Sequence, residues 1–447
     1  VPPGLLGEIA KFIYSQAPLP VAEIALAGAI GFMAGIVGRA YNVSGTGLNQ
    51  YVLLLAKTGH GKEAIASGID KLIASVCRTV PAAAAFVGPS KINSEQALLK
   101  YLNKKSLSFS SLVGEFGIRI REMSSHNASP HMANLMALLL DLFNKSGEGK
   151  VVRPSIYSDA EKNTNDILAP AVTIIGESVP ESFYSNLNDG MIASGMLPRF
   201  TIIEYHGKRV DLNEGHSMAQ PSFELAEQLA TICAYSMTLN SQHKSIHVKY
   251  TPEADEMQRQ FQKQCTLKIN VTESDVIHHL WSRAHIKALK LAALVAVGCN
   301  PYDPVIDVNS FSWALNIVVA DVENLLKRFD TGEIGSDSNE MRQMNKIYSV
   351  CKQYIVRPWS EIAKTAGDGN GHLHSAKVIP YSFIQRNAVA QACFKNDKMG
   401  ATNAIKRTMK TLIERGEIQE VSRADMTKVY NTSAVGYMIS KPESFGL

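Results

Sequence analysis

A glycine-rich segment, Ala56–Glu63 (AKTGHGKE), carries the strongest chemical signal in the sequence. Gly59 and Gly61 allow backbone N–H groups to turn towards an anion, and the ammonium of Lys62 can reach phosphate oxygens. The segment follows an apolar run and opens a helical stretch, which is the context that a phosphate-binding loop requires. We therefore expect nucleotide contacts from Thr58, Gly59, His60, Gly61, Lys62 and Glu63.

The loop departs from the usual pattern GxxxxGK[ST] at two positions. Ala56 replaces the first glycine, and Glu63 replaces the Ser or Thr whose hydroxyl binds Mg²⁺. A carboxylate at this place can either contact the metal itself or repel the phosphates. We expect ATP and Mg²⁺ as cofactors, with Glu63 as the metal ligand. The alternative is a plain glycine turn at the start of a helix.

An acidic residue follows the next run that is typical of a buried strand. Ser108–Val113 leads into Gly114 and Glu115. A carboxylate at the end of such a strand can orient an attacking water molecule and accept its proton, so we expect Glu115 to be catalytic. Gly114 stands where an Asp would hold Mg²⁺ through water, and this second change on the metal side argues against fast hydrolysis. The alternative is a surface glutamate after a strand.

Two further polar side chains follow in the same chain order. Ser178, within Thr173–Pro180 (TIIGESVP), can hydrogen-bond a terminal phosphate or the attacking water, and a turn or helix-cap role is the alternative. Arg199, within Gly195–Phe200 (GMLPRF), precedes a strand at a sheet rim, from which it can project into a neighbouring subunit. There an arginine stabilises charge that develops on the γ-phosphate, as a catalytic residue supplied in trans. The alternative is an ordinary salt bridge.

The elements that must position these residues follow from hydrophobic periodicity. Helical spacing marks Gly4–Ser15 and Ala22–Arg39, and strands alternate with helices from Gln50 to Tyr205. Such alternation predicts an α/β fold with a parallel sheet that helices cover on both faces. The predicted organisation is a helical N-terminal segment at 1–49, a phosphate-loop core at 50–221, a helical region at 222–329, a linker at 330–340 and a C-terminal domain at 341–447.

The order of these motifs resembles an AAA+-type helicase core, in which a P-loop, an acid-ended strand, a polar strand end and an arginine follow one another. Pro2–Ile9 (PPGLLGEI), Val43–Leu48 (VSGTGL), the Lys-Glu pair after the loop and Phe116-Gly117 look more specifically like the YfjI-like family of phage and prophage P-loop proteins, a domain family of unknown function. The resemblance covers about residues 1–330. It implies a replicative helicase or related ATPase that forms a homo-hexamer or similar ring and acts beside a primase.

The helical region 222–329 looks like the lid of an AAA+ protein. Trp281–Lys287 heads an apolar helix and is similar to the lid helix of MCM-type helicases, where an arginine reaches the nucleotide. The resemblance therefore implies a nucleotide contact for Arg283. An exposed arginine on an amphipathic helix is the alternative.

The C-terminal region is basic. Met341–Leu447 contains 16 Lys and Arg against 8 Asp and Glu, a net charge of +8, whereas the whole chain carries +4. This asymmetry predicts a polyanionic partner. Helices over Tyr381–Phe394 and Gly400–Arg415, followed by a hairpin of Glu417–Val421 with Lys428–Ile439, resemble a winged helix that binds DNA. We expect DNA contacts, mostly to phosphate, from Asn403, Lys406, Arg407, Lys410 and Arg415. A winged helix that binds protein is the alternative.

The composition excludes several classes of protein. Hydrophobic residues make up 45% of the 447 residues and charged ones 19%, which excludes disorder and coiled coil as the main state. The six cysteines form no CxxC pair, so we expect reduced thiols in the cytoplasm of a bacterial host. The longest apolar run, Ile24–Val37, is shorter than the roughly 20 residues of a membrane span, and we expect a buried helix there.

Together these features predict a ring-forming ATPase that moves along or remodels single-stranded or forked DNA in phage or mobile-element replication. Strand-contacting loops are expected within Met123–Pro130 or Lys145–Lys150, which are polar and follow core elements. Two alternatives remain open: a helicase loader or replication initiator that uses ATP as an assembly switch, and a DNA-binding scaffold whose nucleotide site has degenerated. A kinase-type P-loop enzyme would leave Arg199 and the basic C-terminal domain unexplained.

Overall fold

The structure is a computed structural model and describes residues 1–124, 128–154, 163–187, 191–192, 194–272, 274–330, 339–395, 397 and 399–447. The fold is mixed α/β: 60% of the described residues are helical, and the largest sheet is parallel. The chain forms two compact units, one from residues 1–186 and 190–323 and the other from 187–189 and 324–447. The predicted N-terminal segment, the core and most of the helical region fall within the first unit.

The described helices and strands alternate through most of the first unit. The helices are α1 Gly4–Ser15, α2 Ala22–Val37, α3 Ala64–Cys77, α4 Glu95–Lys104, α5 Phe116–Ser124, α6 Pro130–Asn144, α7 Pro180–Asn186, α8 Phe223–Ser241, α9 Pro252–Asn270, α10 Asp275–Cys299, α11 Val308–Asp330, α12 Asn339–Val356, α13 Trp359–Ala366, α14 Gly371–Ser375, α15 Tyr381–Ala388, α16 Ala392–Lys395, α17 Ala401–Glu414 and α18 Arg423–Lys428. The strands are β1 Tyr41–Val43, β2 Thr46–Gly47, β3 Tyr51–Leu55, β4 Ser108–Val113, β5 Val151–Val152, β6 Ile167–Leu168, β7 Ala171–Ser178, β8 Phe200–Glu204, β9 Ile246–His247, β10 Lys249–Tyr250, β11 Val305–Ile306, β12 Ile379–Pro380, β13 Ile418–Glu420 and β14 Gly436–Ile439.

A four-stranded parallel sheet forms the centre of the first unit, in the order β4-β7-β3-β8. Strand β3 is buried at every position and pairs with β7 on one side and β8 on the other. A continuous apolar run is typical of a strand that is covered on both faces. Beyond β4, Val87 makes one further parallel bridge to Ser110. These strands confirm the predicted parallel α/β sheet.

Helix α2 covers one face of this sheet. Ile24–Val37 is buried almost entirely, as expected for a helix that is apolar on all sides, and this confirms the predicted buried helix. Small residues let its backbone approach the strands closely. A Cβ on Gly31 would lie 2.2 Å from the side chain of Ile175, and a Cβ on Gly35 would lie 2.7 Å from the backbone nitrogen of Ser110.

Helices α5 and α6 cover the opposite face. The hydroxyl of Tyr51 donates to the carbonyl oxygen of Leu139 in α6 at 2.6 Å. The ring of Phe116 lies so close to Gly176 of β7 that a Cβ there would be 2.5 Å from the ring. The sheet is therefore held between two helical layers, and its strand ends open onto two separate edges.

Parallel pairing gives these edges different residues. All carboxyl ends of the strands lie at one edge and all amino ends at the other. At the carboxyl edge, Leu55 of β3 is level with Ser178 of β7 and Glu204 of β8. At the amino edge, Tyr51 is level with Phe200. The loop after β3 and the residues before β8 consequently lie at opposite edges.

The second unit has its own core. Helix α12 packs with α15, α17 and a three-stranded antiparallel sheet in the order β12-β14-β13. Tyr354, Phe383, Phe394 and Leu412 are buried in this core. The predicted linker, in contrast, lies mainly outside the described residues, because it includes residues 331–338.

Two sequence predictions for this unit are wrong in detail. The predicted helix Tyr381–Phe394 is broken into α15 and α16. Residues 389–391 separate the two helices, and Phe394 is buried in the same core as Phe383 and Ile384. The predicted strand Lys428–Ile439 is limited to Gly436–Ile439, because α18 is capped by Ser422 and occupies the start of this connection.

Within the described ranges, no helix combines the length and the apolar character that crossing a membrane requires. Helix α2 illustrates the reason. It is apolar but spans only 16 residues, and its surface is covered by the sheet and by α1 and α3.

We predict that Gly35→Ala destabilises the first unit by about 1–3 kcal/mol, because the new Cβ meets backbone atoms that cannot move aside. Helix propensity alone would change stability in the other direction by up to about 1 kcal/mol. Gly28→Ala in the same helix is the matched control, since its Cβ meets only side-chain atoms of Ile13 and Ile65 at 3.2 Å or more. Urea unfolding followed by tryptophan fluorescence measures both variants, and equal effects would contradict this account.

Candidate functional site

The loop between β3 and α3 has the backbone of an anion-binding turn. Gly59 and Gly61 have φ angles of +73° and +88°, in the region that favours glycine. At Gly61 a side chain does not fit, because a Cβ would lie 2.6 Å from the carbonyl oxygen of Leu19. The loop begins at the carboxyl end of the central strand and runs into the amino end of α3. Helix amides and the helix dipole at such a place favour a negative charge.

Lys62 lies at the centre of this loop. Its Nζ donates to the carbonyl oxygen of Ala56 at 2.7 Å, which holds the ammonium against the loop. Nδ1 of His60 lies 3.1 Å from the carbonyl oxygen of Thr58. Glu63 is exposed at the position before α3. The Lys62 ammonium is thus held at the start of the loop, whereas Glu63 is open to solvent.

Glu115 lies between β4 and α5 in a conformation that is uncommon for a residue with a side chain. Its φ is +49°, and the left-handed region costs a non-glycine residue roughly 1–2 kcal/mol. Such backbone strain is concentrated at functional positions, and here it accompanies an exposed carboxylate at the carboxyl edge. At the neighbouring Gly114 no atom lies within 4 Å of a Cβ position, so packing does not prevent an acid there.

Glu177 is a carboxylate that the motif analysis did not select. It lies near the end of β7, opposite Leu54 of β3, and is half-buried. Burial raises its pKa to about 7; Lys62 opposes this rise, whereas Glu63 and Glu115 add to it. Glu177 is therefore within electrostatic reach of all three charged residues predicted at this edge.

Ser178 contributes its backbone to the site. Its carbonyl oxygen accepts from the amide of Ala56 at 3.2 Å. Its hydroxyl lies on the other face, buried and without a hydrogen-bond partner among the described residues, 2.5 Å from the position of a Cβ on Gly117. Successive strand residues point to opposite faces. This alternation is the feature of the sequence that separates Glu177 from Ser178, because two neighbours in a strand must lie on different faces of the sheet.

Arg199 and Arg283 lie together at the amino edge of the sheet. Arg199 directly precedes β8, and Phe200 is level with the first residue of β3. A five-residue strand separates this edge from the phosphate-type loop by roughly 16 Å. Burial lowers the pKa of Arg199 to about 10, and the nearby charge of Arg283 also contributes. Nη1 of Arg199 donates to the carbonyl oxygen of Gly195 at 2.6 Å. Neither arginine is brought to the loop of its own chain.

A cavity of about 300 Å³ opens at this amino edge and is lined by Arg283 and Lys290. Lys290 is fully buried, and its Nζ donates to Oδ1 of Asn49 at 2.8 Å and to the carbonyl oxygen of Phe143 at 3.1 Å. Burial lowers the pKa of Lys290 to about 7, and the charge of Arg199 contributes. No carboxylate is found among the described residues that line this cavity. An excess of cationic groups that are partly removed from water suits an anionic group.

Four of the predicted DNA-contacting residues share one exposed face of α17. Asn403, Lys406, Arg407 and Lys410 have the spacing i, i+3, i+4 and i+7, and all four are exposed. Arg407 is partly engaged, because its Nη2 donates to Oδ2 of Asp397 at 2.8 Å. Lys410 makes a long ion pair with Glu414 at 3.8 Å, and no ion pair of Lys406 is found within the described residues.

Arg415 differs from these four residues. It follows the last residue of α17 as its C-cap. Its guanidinium lowers the pKa of Tyr348, against the rise caused by burial and Glu417, and its carbonyl oxygen accepts from Nζ of Lys441 at 2.9 Å. The structure thus places Arg415 at the helix end, beyond the exposed face.

The carboxylates at the carboxyl edge do not form a complete metal cage. Across the part of the chain that the structure describes, no three His, Cys, Asp or Glu side chains converge closely enough to hold a metal ion. Mg²⁺ is commonly held by one or two carboxylates together with substrate phosphates and water. Glu63 and its acidic neighbours fit this mode of binding, and a protein-only metal site is not expected there.

The two predicted strand-contacting stretches have different outcomes. Met123–Pro130 includes residues 125–127, which lie outside the described residues. In Lys145–Lys150, Ser146 is buried and its hydroxyl accepts a backbone N–H at 3.2 Å. Only Glu148–Lys150 remains as an exposed turn.

No protein-family profile matches this chain, and no curated protein sequence matches it. The interpretation of both sheet edges therefore depends on their geometry and on the sequence motifs.

We predict that Glu177→Gln stabilises the first unit at pH 8 but not at pH 4.5. Burial raises the pKa of Glu177 in the folded state to about 7, so the folded chain binds this proton more tightly than the unfolded chain does. The resulting stabilisation is fully present below about pH 4.5 and is lost as the pH rises through 7. Glutamine does not titrate, so the variant keeps its stability as the pH rises. Its free energy of unfolding at pH 8 should exceed that of the wild type by up to about 3 kcal/mol. Urea unfolding at both pH values measures the difference.

The exposed Glu214→Gln is the control for removing one surface carboxylate. An equal gain in this control, or a gain in Glu177→Gln that persists at pH 4.5, would contradict the assignment of a buried carboxylate.

Proposed function

We propose that the protein is a ring-forming P-loop ATPase of the AAA+-like type that moves along or remodels DNA during replication of a phage or mobile element. One observation carries this proposal. The phosphate-type loop and the carboxylates lie at one edge of a parallel sheet, whereas Arg199 and Arg283 lie at the other edge of the same sheet.

The carboxyl edge supports the nucleotide-binding half of a site. In open α/β sheets, ligands bind outside the carboxyl ends of strands, where the chain changes direction across the sheet. The chain leaves β3 for β4 on one side and finally reaches β8 on the other, so the loop after β3 occupies such a place. Lys62 binds the β- and γ-phosphates, and Glu115 orients the attacking water and accepts its proton.

Glu63 is the residue of the loop that would hold Mg²⁺. Bound there with a nucleotide, the ion would neutralise charge between the phosphates. Glu177 lies beside this place and responds electrostatically to Lys62, Glu63 and Glu115. Its half-buried carboxyl, and not the buried hydroxyl of Ser178, is the polar group at the end of β7 that these charges influence.

The amino edge supports the second half of the site, supplied by a neighbouring copy. Arg199 and Arg283 are too far from the loop of their own chain to act on it. In a heterologous contact, the amino edge of one copy meets the carboxyl edge of the next, and such contacts close into rings when the rotation allows it. The cavity lined by Arg283, which has no acidic lining, is suited to the phosphates of the neighbour.

The second unit supports a DNA-binding function. Its helices, its sheet order β12-β14-β13 and the connection between β13 and β14 resemble a winged helix. The exposed face of α17 carries Lys406 and Lys410, which suit phosphate contacts, and Asn403, which can reach a base edge. Forked or single-stranded DNA and a primase remain the partners implied by the family resemblance.

An assembly switch is the second candidate function, and Gly114 favours it. No acid occupies this position although the space is open, so a metal-side contact that assists hydrolysis is absent there. A loader or initiator that binds ATP without rapid turnover tolerates this loss.

We predict DNA-stimulated ATP hydrolysis in a ring-sized species. Lys62→Ala should lose nucleotide binding because the phosphate contact is removed. Glu115→Gln should keep binding but lose turnover by about 100-fold or more, because no carboxylate accepts the proton of water. Phosphate release with and without single-stranded DNA, nucleotide binding and molecular mass are measured in parallel.

Glu122→Gln, an exposed change on the adjacent helix α5, is the matched control for Glu115→Gln. Binding without turnover in the wild type would favour the assembly switch. Absence of nucleotide binding would leave the DNA-binding scaffold as the remaining function.

We predict that two inactive variants restore activity when they are mixed. Lys62→Ala lacks the loop contact and Arg199→Ala lacks the trans contact, so a mixed ring contains some interfaces with both residues intact. Random mixing in equal amounts should restore about a quarter of the wild-type turnover. Arg283→Ala, at a half-exposed side chain, repeats the test if Arg199→Ala fails to fold. If the mixture forms rings of wild-type size but recovers no ATP hydrolysis, each site is completed within one chain.

A further inference from the structure

A second basic cavity lies in the first unit, beside the residues that precede the amino end of β7, and it shares no described lining residue with the cavity that Arg283 lines. It has a volume of about 300 Å³ and is formed by two exposed turns together with β6. Its lining includes Arg39, Lys150, His243, Lys244, Glu148 and Leu168. The first turn is the exposed end of the predicted strand-contacting stretch, and the second follows helix α8.

Arg39 forms the fixed base of this cavity. Its side chain is only 5% exposed, and it donates to three acceptors on two different segments. Nη1 donates to the carbonyl oxygen of Asn240 at 2.8 Å, and Nη2 donates to the carbonyl oxygen of Leu168 at 3.3 Å and to Nδ1 of His243 at 2.9 Å. Nε is buried and has no partner among the described residues. The guanidinium therefore fixes both walls of the cavity relative to each other.

This contact also fixes the hydrogen-bonding state of His243. An arginine is always a donor, so Nδ1 of His243 must accept, and the proton of the neutral ring resides on Nε2. The ring is exposed, and its Nε2–H is left as a donor. The backbone at His243 has a φ of +53°, which gives the turn its direction.

The charges around the cavity are not balanced. Lys150 and Lys244 are exposed, and neither ammonium contacts another side chain in the part of the molecule that the structure describes. Glu148 is the one acid among the described lining residues, and its Oε2 is already engaged by the hydroxyl of Ser245 at 2.6 Å and by Nε2 of His247 at 3.2 Å. Three cationic side chains thus face a single carboxylate that has other partners.

We propose that this cavity binds the phosphodiester backbone of a single-stranded nucleic acid, with Lys150, Lys244 and Nε2–H of His243 as the phosphate contacts. The inference rests on the proposed function and names a strand contact in the ATPase unit that is separate from helix α17. Backbone recognition follows from the donors, because ammonium and N–H groups are what phosphate oxygens require. The described lining residues include no Phe, Tyr or Trp for base stacking, so the contact reads the backbone and not the sequence.

The shape of the cavity favours a single strand over a duplex. A concave pocket of this volume between two turns accommodates one phosphate group with its adjoining sugars. The two phosphate rows of a duplex are held rigidly by base pairing, whereas a single strand can bend one phosphate into the pocket.

The test compares charge reversal at this cavity with charge reversal elsewhere in the same unit. Lys150→Glu/Lys244→Glu is expected to weaken binding of the full chain to a fluorescent poly-dT oligonucleotide about tenfold at 100 mM salt. The slope of log affinity against log salt should also fall by about 1.4, since each phosphate contact on a single strand contributes about 0.7. Lys104→Glu/Lys105→Glu, at an exposed pair at the end of α4, is the control and should leave both quantities unchanged.

The same measurements are made in a Lys406→Glu/Lys410→Glu background, which removes the proposed contacts of α17. If the effect of the cavity variant persists there, the two sites act separately and the proposal is supported. If the cavity variant binds as tightly as the control in both backgrounds, or the wild type does not bind the oligonucleotide, the proposal is wrong. Basal ATP hydrolysis without DNA verifies folding and reports on the proposed ATPase independently.

Competition with inorganic phosphate at constant ionic strength distinguishes a strand from a free anion. A strand site is supported if inorganic phosphate, at a 10-fold excess over the phosphate groups of the oligonucleotide, displaces the oligonucleotide only weakly. Full displacement by phosphate, lost in Lys150→Glu/Lys244→Glu, would identify a free-phosphate site and overturn the proposal.

Discussion

The parallel pairing of β3 with strands on both sides is the constraint on which the rest of the structure depends. Tyr51–Leu55 is buried at every position between two helical layers, so neither its position nor its direction can vary without exposing the core. Its direction fixes where the loop after Leu55 begins. It also fixes that Glu115 and Glu177 lie at the same edge as Lys62, and that Arg199 lies at the other.

Because parallel pairing places different side chains at the two edges, the edges carry charge of opposite sign. At the carboxyl edge one ammonium is surrounded by carboxylates, and at the amino edge Arg199, Arg283 and Lys290 cluster without a carboxylate in the cavity lining. Partly buried like charges destabilise a folded chain unless something compensates them. The side chains named at the two edges therefore carry excess charge of opposite sign.

Helix α10 connects this arrangement to the helical region. Two of its lysines are buried one turn apart. Nζ of Lys287 donates to the carbonyl oxygen of Phe200 at 2.8 Å and pairs with Asp321 at 2.6 Å, whereas Lys290 binds Asn49 immediately before β3. A buried ion pair contributes geometry more reliably than net stability. The helix that carries Arg283 is thereby fixed to the amino ends of β3 and β8.

The amino-acid sequence by itself determined the elements and the loop. Apolar runs predicted β3, β4, β7 and β8, and glycine spacing with Lys62 predicted a turn that the positive φ angles of Gly59 and Gly61 bear out. These features are local, because they depend on strand and helix periodicity and on the conformational freedom of glycine. The sequence did not predict the break between α15 and α16 or the insertion of α18, whose start is capped by Ser422.

Only the tertiary structure decided which side chains meet. The sequence selected Ser178, whereas the pairing of β7 turns Glu177 towards Lys62 and buries the hydroxyl of Ser178 on the other face. The sequence also grouped Arg283 with the nucleotide-binding loop, whereas the packing of α10 sets it beside Arg199 at the far edge. The order of the motifs along the chain predicted that these residues act together. The face and the edge of the sheet that each residue occupies are fixed by strand pairing and helix packing, which join residues more than a hundred positions apart.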